Sequence, residues 1–117
     1  MTEYEIGGDV TIEKLCQELK AHMVIKVRSC RKECKEAQCW TYAYITKVKD
    51  NVIRGLVMDK SPINEEGHMV FTAMKCYIDN LGNRIIFNQD CNRNFSTGWS
   101  VSFIEVVPIT IDTIKTK

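Results

Sequence analysis

No run in this sequence approaches the ~20 consecutive apolar residues that a membrane helix needs. Neither sign of charge prevails, since 16 basic residues face 15 acidic ones for a net charge of +1. The first absence removes a helical membrane span. The second removes a global field that would draw the chain to nucleic acid or an anionic membrane, so an electrostatic partner has to be met by a local cluster. The chain has no glycine-rich loop of the kind that cradles phosphate and no Cys-x-x-Cys pair, which argues against a thioredoxin-type redox role. Its two histidines, His22 and His68, sit in no metal or nucleophile motif. Asp79-Asn80-Leu81-Gly82-Asn83 lacks the acidic ladder of a calcium loop, because Leu81 stands at a would-be ligand position. No catalytic residue, no enzyme activity and no cofactor are expected.

What is present describes one folded unit. At 117 residues, 44% hydrophobic and 26% charged, the chain has the size and balance of one domain over 1–117, with residues 1–9 and 112–117 expected to fray. Met1-Thr2-Glu3-Tyr4-Glu5 is acidic where a secretory signal is basic and then apolar, so the expected setting is cytoplasmic, with the six cysteines reduced.

Between Thr11 and Ala21, Ile12, Leu15, Cys16 and Leu19 fall at the spacing of one helical face, with Asp9 or Thr11 as the N-cap. The pattern then turns to alternation. Met23, Ile25 and Val27 face opposite Lys26 and Arg28, and Trp40–Lys49 and Val52–Asp59 form a hairpin around Asp50-Asn51. Simple pairing puts Thr46 opposite Gly55 and Tyr44 opposite Val57, with Trp40, Tyr42, Tyr44, Val48, Ile53 and Val57 on one face. Gly55 then marks a bulge or a sharp bend. Residues 60–68 read as a polar connection. Residues 70–78 and 84–88 read as a second hairpin, 88–98 as a loop, and 100–107 as a strand apolar on both faces. An edge segment is expected over 109–114. The fold class is therefore mainly β (α+β by count): an N-terminal helix packed on a curled antiparallel sheet of about six strands, a small SH3-like or OB-like barrel.

Two constellations bear on function. Cys30, Cys34 and Cys39 lie within ten residues, but their spacing departs from the paired two-residue gap of zinc ribbons and knuckles, so no metal is expected there. A basic cluster includes Lys26, Arg28, Arg31 and Lys32, with Trp40 and Tyr42 following, and in the expected register Lys47 stands across from Arg54. Asn92 and Arg93 lie in the asparagine-rich loop. These residues are the candidate binding set.

The leading expectation is a non-enzymatic small binding module recognising a macromolecular partner, of the adaptor, inhibitor or immunity type. A protein partner comes first. The alternatives are a small barrel binding single-stranded nucleic acid, and sequestration of a small anionic ligand in an oligomer groove. No membrane contact is expected, and a homo-oligomer would form through an exposed sheet edge.

Overall fold

In a computed structural model, residues 3–6, 10–29, 40–82, 84–89, 99–109 and 114–116 are described. Their alternating segments form β1 (Glu3–Glu5), β2 (Val24–Ser29), β3 (Trp40–Lys49), β4 (Val52–Ile63), β5 (Met69–Leu81), β6 (Arg84–Gln89), β7 (Trp99–Val107) and β8 (Ile114–Thr116). One helix, α1 (Ile12–Glu18), lies between β1 and β2. Strands β2 to β7 each pair antiparallel with the next, and β7 returns to β2, closing a six-stranded barrel. Closure removes the exposed hydrogen-bonding edges that an open sheet leaves. The β6–β7 seam is short, with Ile86 opposite Ser100 and Phe87 opposite Trp99. Farther along β7, β1 pairs beside it, with Tyr4 opposite Ile104.

The barrel interior is mostly aliphatic. Ile25, Val27, Ala43, Ile45, Ile53, Cys76, Ile78, Ile85, Phe87, Val101 and Ile104 are all buried in it. Helix α1 adds Ile12 and Leu15 to the same cluster, and Leu19 at its C-terminal cap joins them, the residues that the sequence spacing indicates. Full burial of a side chain such as Leu15 is worth about 1.5–3 kcal/mol, which supplies the anchoring that a seven-residue helix lacks alone. Thr11 is the N-cap, its hydroxyl accepting from the Lys14 amide at 3.2 Å. The helix is shorter than the expected 11–21 because Leu19 is already extended and His22 turns the chain at φ 77° into β2.

Bulges account for the remaining differences from simple alternation. Asp50 and Asn51 both take left-handed φ (55° and 59°), the two-residue turn that matches strand twist, and pairing runs as expected from Lys49↔Val52 to Lys47↔Arg54. There the register shifts: Thr46 is the extra residue, Ile45 faces Gly55, and Tyr44 faces Leu56. A Cβ at Gly55 would lie 2.4 Å from the Tyr44 carbonyl oxygen, so the close approach at this bulge requires glycine. The expected single face is thereby corrected. Ala43 and Ile45 point into the barrel with Ile53, whereas Tyr42 and Tyr44 belong to a cluster outside it. A second shift between Arg28 and Ser29 gives β7 an extra residue, Ser102, which is why Val101 and Ile104 both face inward.

The expected connection over 60–68 is also corrected, since β4 continues through Pro62 to Ile63 and leaves a turn at Asn64–His68. Asn64 holds that turn, its Oδ1 accepting from the Glu66 and His68 amides at 3.0 Å each. The two stretches expected to fray each contain a paired strand. Glu3–Glu5 lies on β7, and Ile114–Thr116 runs parallel to Met69–Phe71 of β5, slightly beyond the 109–114 edge segment expected. Val24, Met58 and Met69, with Tyr42, Tyr44, Phe71, Val107, Ile109 and Ile114 around them, make a second apolar cluster on the outer side of the barrel wall. Tyr44 and Phe71 stack within it, ring centres 5.0 Å apart and planes 8° from parallel.

Candidate functional site

Residues facing out of β2 have neighbours on both sides, because β2 pairs with β3 and β7 at once. Lys26 stands opposite Tyr42 on β3 and Glu105 on β7; Arg28 stands opposite Trp40 and Phe103. With Ile25 and Val27 turned inward, these two rows lie on the outer face. The Lys26 ammonium sits 5.7 Å from the centre of the Tyr42 ring, a cation–aromatic contact worth about 0.5–1 kcal/mol at a partly exposed site. Arg28 is exposed, and Tyr42, Lys26 and Phe103 are half-buried. Four of the candidate residues, Lys26, Arg28, Trp40 and Tyr42, thus occupy two adjacent cross-strand rows, each pairing a cation position with an aromatic one.

The face is braced. Tyr42 packs against the outer apolar cluster. Beside it, the Tyr44 hydroxyl is 2.6 Å from His22 Nδ1, tying β3 to the residues that lead into β2. The Ser102 hydroxyl donates to the Arg28 carbonyl at 3.2 Å and fixes the β2–β7 bulge.

Lys47 and Arg54 do face each other across β3 and β4, both exposed, as the sequence suggests. They belong elsewhere. The level of Lys26 on β3 is Tyr42, five residues from Lys47, which is about 16 Å at ~3.3 Å per residue. That exceeds the ~8 Å Debye length at physiological ionic strength, so the two basic groups act as separate patches. Arg31, Lys32, Asn92, Arg93, Cys30, Cys34 and Cys39 lie outside the described residues.

The chemistry elsewhere is muted. Among the described residues no three His, Cys, Asp or Glu side chains gather as a metal site. The Cys76 thiol is inside the barrel, and burial pushes its pKa from 9.0 up to about 12. It is therefore protonated and inert at neutral pH and does not meet His68, which sits in the Asn64–His68 turn with Nδ1 3.6 Å from a Glu66 carboxylate oxygen. Burial, and then the charge of Glu13, also raise the Cys16 thiol. Burial, followed by a hydrogen bond to Glu18 and its charge, raises the Tyr4 phenol.

Sequence reasoning missed Phe103 and Glu105 as neighbours of the basic residues. Their alternation was visible, but the bulge at Ser102 decides which face they take. Among the described residues the exposed large hydrophobic side chains are Ile63 at 61% and Met74 at 52%, both on the β4–β5 hairpin. No helix among the described residues is long and apolar enough to cross a membrane. Compared with protein-family models, curated proteins and solved structures, the chain matches none.

Proposed function

We propose that this protein is a non-enzymatic binding module that recognises a macromolecular partner through the outer face of β7, β2 and β3. The supporting observation is the pair of adjacent rows, Lys26 with Tyr42 and Arg28 with Trp40, on a sheet face braced from beside and behind. Aromatic and arginine side chains on a rigid element lose little conformational freedom on binding and dominate recognition energetics in general. The buried, protonated Cys76 fits a core role for that thiol, and with the thiol of Cys16 also free, a reducing cytoplasmic setting suits the module.

The test is paired affinity capture from host extract, with wild-type protein and a Lys26→Glu/Arg28→Glu variant immobilised side by side. The expected result is a reproducible component held by the wild type and lost by the variant, which stays folded with its stability lowered by about 1 kcal/mol. Equal retention by both proteins would remove this face from the mechanism.

A further inference from the structure

We infer that the outer face of β3, β4 and β5 is a second interaction surface, which takes an extended acidic segment of a partner protein along the cations Lys49, Lys47, Arg54 and Lys75. It lies beyond the face of β7, β2 and β3 read above as the recognition surface and does not depend on it. The bulge at Thr46 creates this surface. Ile45 faces inward, so strict alternation would turn Lys47 and Lys49 into the barrel; the extra residue sends both outward instead, with Val48 turned to the core between them. The Thr46 hydroxyl donates to the Arg54 carbonyl at 3.2 Å and holds the shift in place. On β5, Cys76 and Ile78 are buried in the barrel, which leaves Lys75 and Tyr77 outward.

The register sets the spacing. Lys49 and Lys47 stand about 6.6 Å apart along β3, Arg54 is directly across from Lys47 at about 5 Å, and Lys75 is the diagonal neighbour of Arg54 at about 7–8 Å. All four cations are exposed. Among the described residues none of them is in an ion pair. The acids beside them, Asp50 and Asp79, lie toward the β3–β4 turn, and Asp79 already accepts from the Asn80 amide at 2.8 Å. Like charges set directly across a strand pair repel unless an anion lies between them. Side chains on one face of an extended chain repeat every ~6.6–6.8 Å, close to these steps, so carboxylates at alternate positions meet successive cations. The charge is local in a chain of net +1, which suits a short acidic segment rather than a long polyanion. Nor does the surface suit a nucleic acid strand. Tyr77, the ring opposite Arg54, is half-buried and already engaged, so bases find no stacking platform.

An NMR titration of the isotope-labelled full chain at low salt tests this, using a peptide that alternates glutamate and serine and carries as many glutamates as the surface has cations. Exposed ion pairs are individually weak, so the expected affinity is about 1 mM, lost as salt is raised. The amide signals of Lys47, Lys49, Arg54 and Lys75 should move, and those of Lys26 and Arg28 should not. Lys47→Glu/Arg54→Glu should weaken binding about tenfold or more, and Lys47→Gln/Arg54→Gln by less, with the spectra showing both variants folded. Lys26→Glu/Arg28→Glu should leave the peptide affinity within about twofold. No shifts at about 10 mM peptide, equal shifts with a glutamine–serine peptide, or tighter binding of an oligothymidylate of equal charge overturns the inference. Shifts confined to Lys26 and Arg28 overturn it as well. The extract capture turns on Lys26 and Arg28 alone, so failure of the peptide leaves the first surface standing and failure of the capture leaves this one.

Discussion

The inner and outer faces of β2 and β3 belong to the same two strands and are built for different ends. Inward, Ile25, Val27, Ala43 and Ile45 are at most 2% exposed and contribute to a core shared with every other barrel strand. Outward, Lys26, Arg28 and Tyr42 face solvent or shallow cover, and Trp40 holds the next position of the same alternation. Period-2 alternation lets one hairpin do both, with little coupling between the faces. Stability should therefore be written on the inside and in the Val24–Tyr44 row of the outer cluster, and recognition on the outer Lys26 and Arg28 rows.

The largest expected effect uses the interior's intolerance of charge. Cys76 has a folded pKa of about 12 against an ordinary 9.0, so its contribution to stability is complete below pH 9 and is lost as pH rises toward 12. The loss reaches up to about 4 kcal/mol, at 1.36 kcal/mol per pKa unit. The raised Tyr4 phenol acts in the same direction from about pH 10 upward. Urea unfolding between about pH 8 and about pH 12 should show this fall, and Cys76→Ala should shrink it. A limb of the same size in Cys76→Ala would mean the thiol is not sealed inside.

Next comes Ile45→Ala, which removes a 1% exposed side chain from the inner face and should cost about 3 kcal/mol in chemical denaturation. Gly55→Ala tests the bulge that separates the faces. Its new Cβ meets the Tyr44 carbonyl, so a loss of about 2 kcal/mol is expected, and a neutral result would show that β3 and β4 slide freely there. The smallest effect belongs to the outside. Lys26→Glu/Arg28→Glu should lower unfolding free energy by about 1 kcal/mol, through loss of the Lys26–Tyr42 contact and a carboxylate placed opposite Glu105. A larger loss would break the separation of roles.

Much of this division is legible in the sequence. Ile12, Leu15 and Leu19 announce the buried helix face, and Ile25 and Val27 against Lys26 and Arg28 announce a strand with one wet side. The barrel itself follows from closely spaced strand and turn signals. Gly55 and the doubly apolar 100–107 segment point to bulges, yet cannot say which neighbour is the extra residue. Thr46 and Ser102 carry no signal of their own, and a one-residue shift exchanges faces. For the same reason simple alternation groups Tyr42 and Tyr44 with Ile53, and leaves Phe103 and Glu105 unconnected with Lys26 and Arg28. The basic cluster is visible as composition. Its division into a β2 group and the distant Lys47–Arg54 pair needs the register. The long reach of β4 through Pro62 is hidden because breakers at 61–62 sit where β4 is bulged against β5, a place that tolerates proline.

Hydroxyl-radical footprinting of the protein alone and with its captured partner bears most directly on the central claim. If the outer face of β2–β3 is the recognition surface, Tyr42 loses reactivity in the complex while Met74 and Ile63 on the β4–β5 hairpin keep theirs. Protection of Met74 and Ile63, with Tyr42 unchanged, would contradict the account and move recognition to that hairpin.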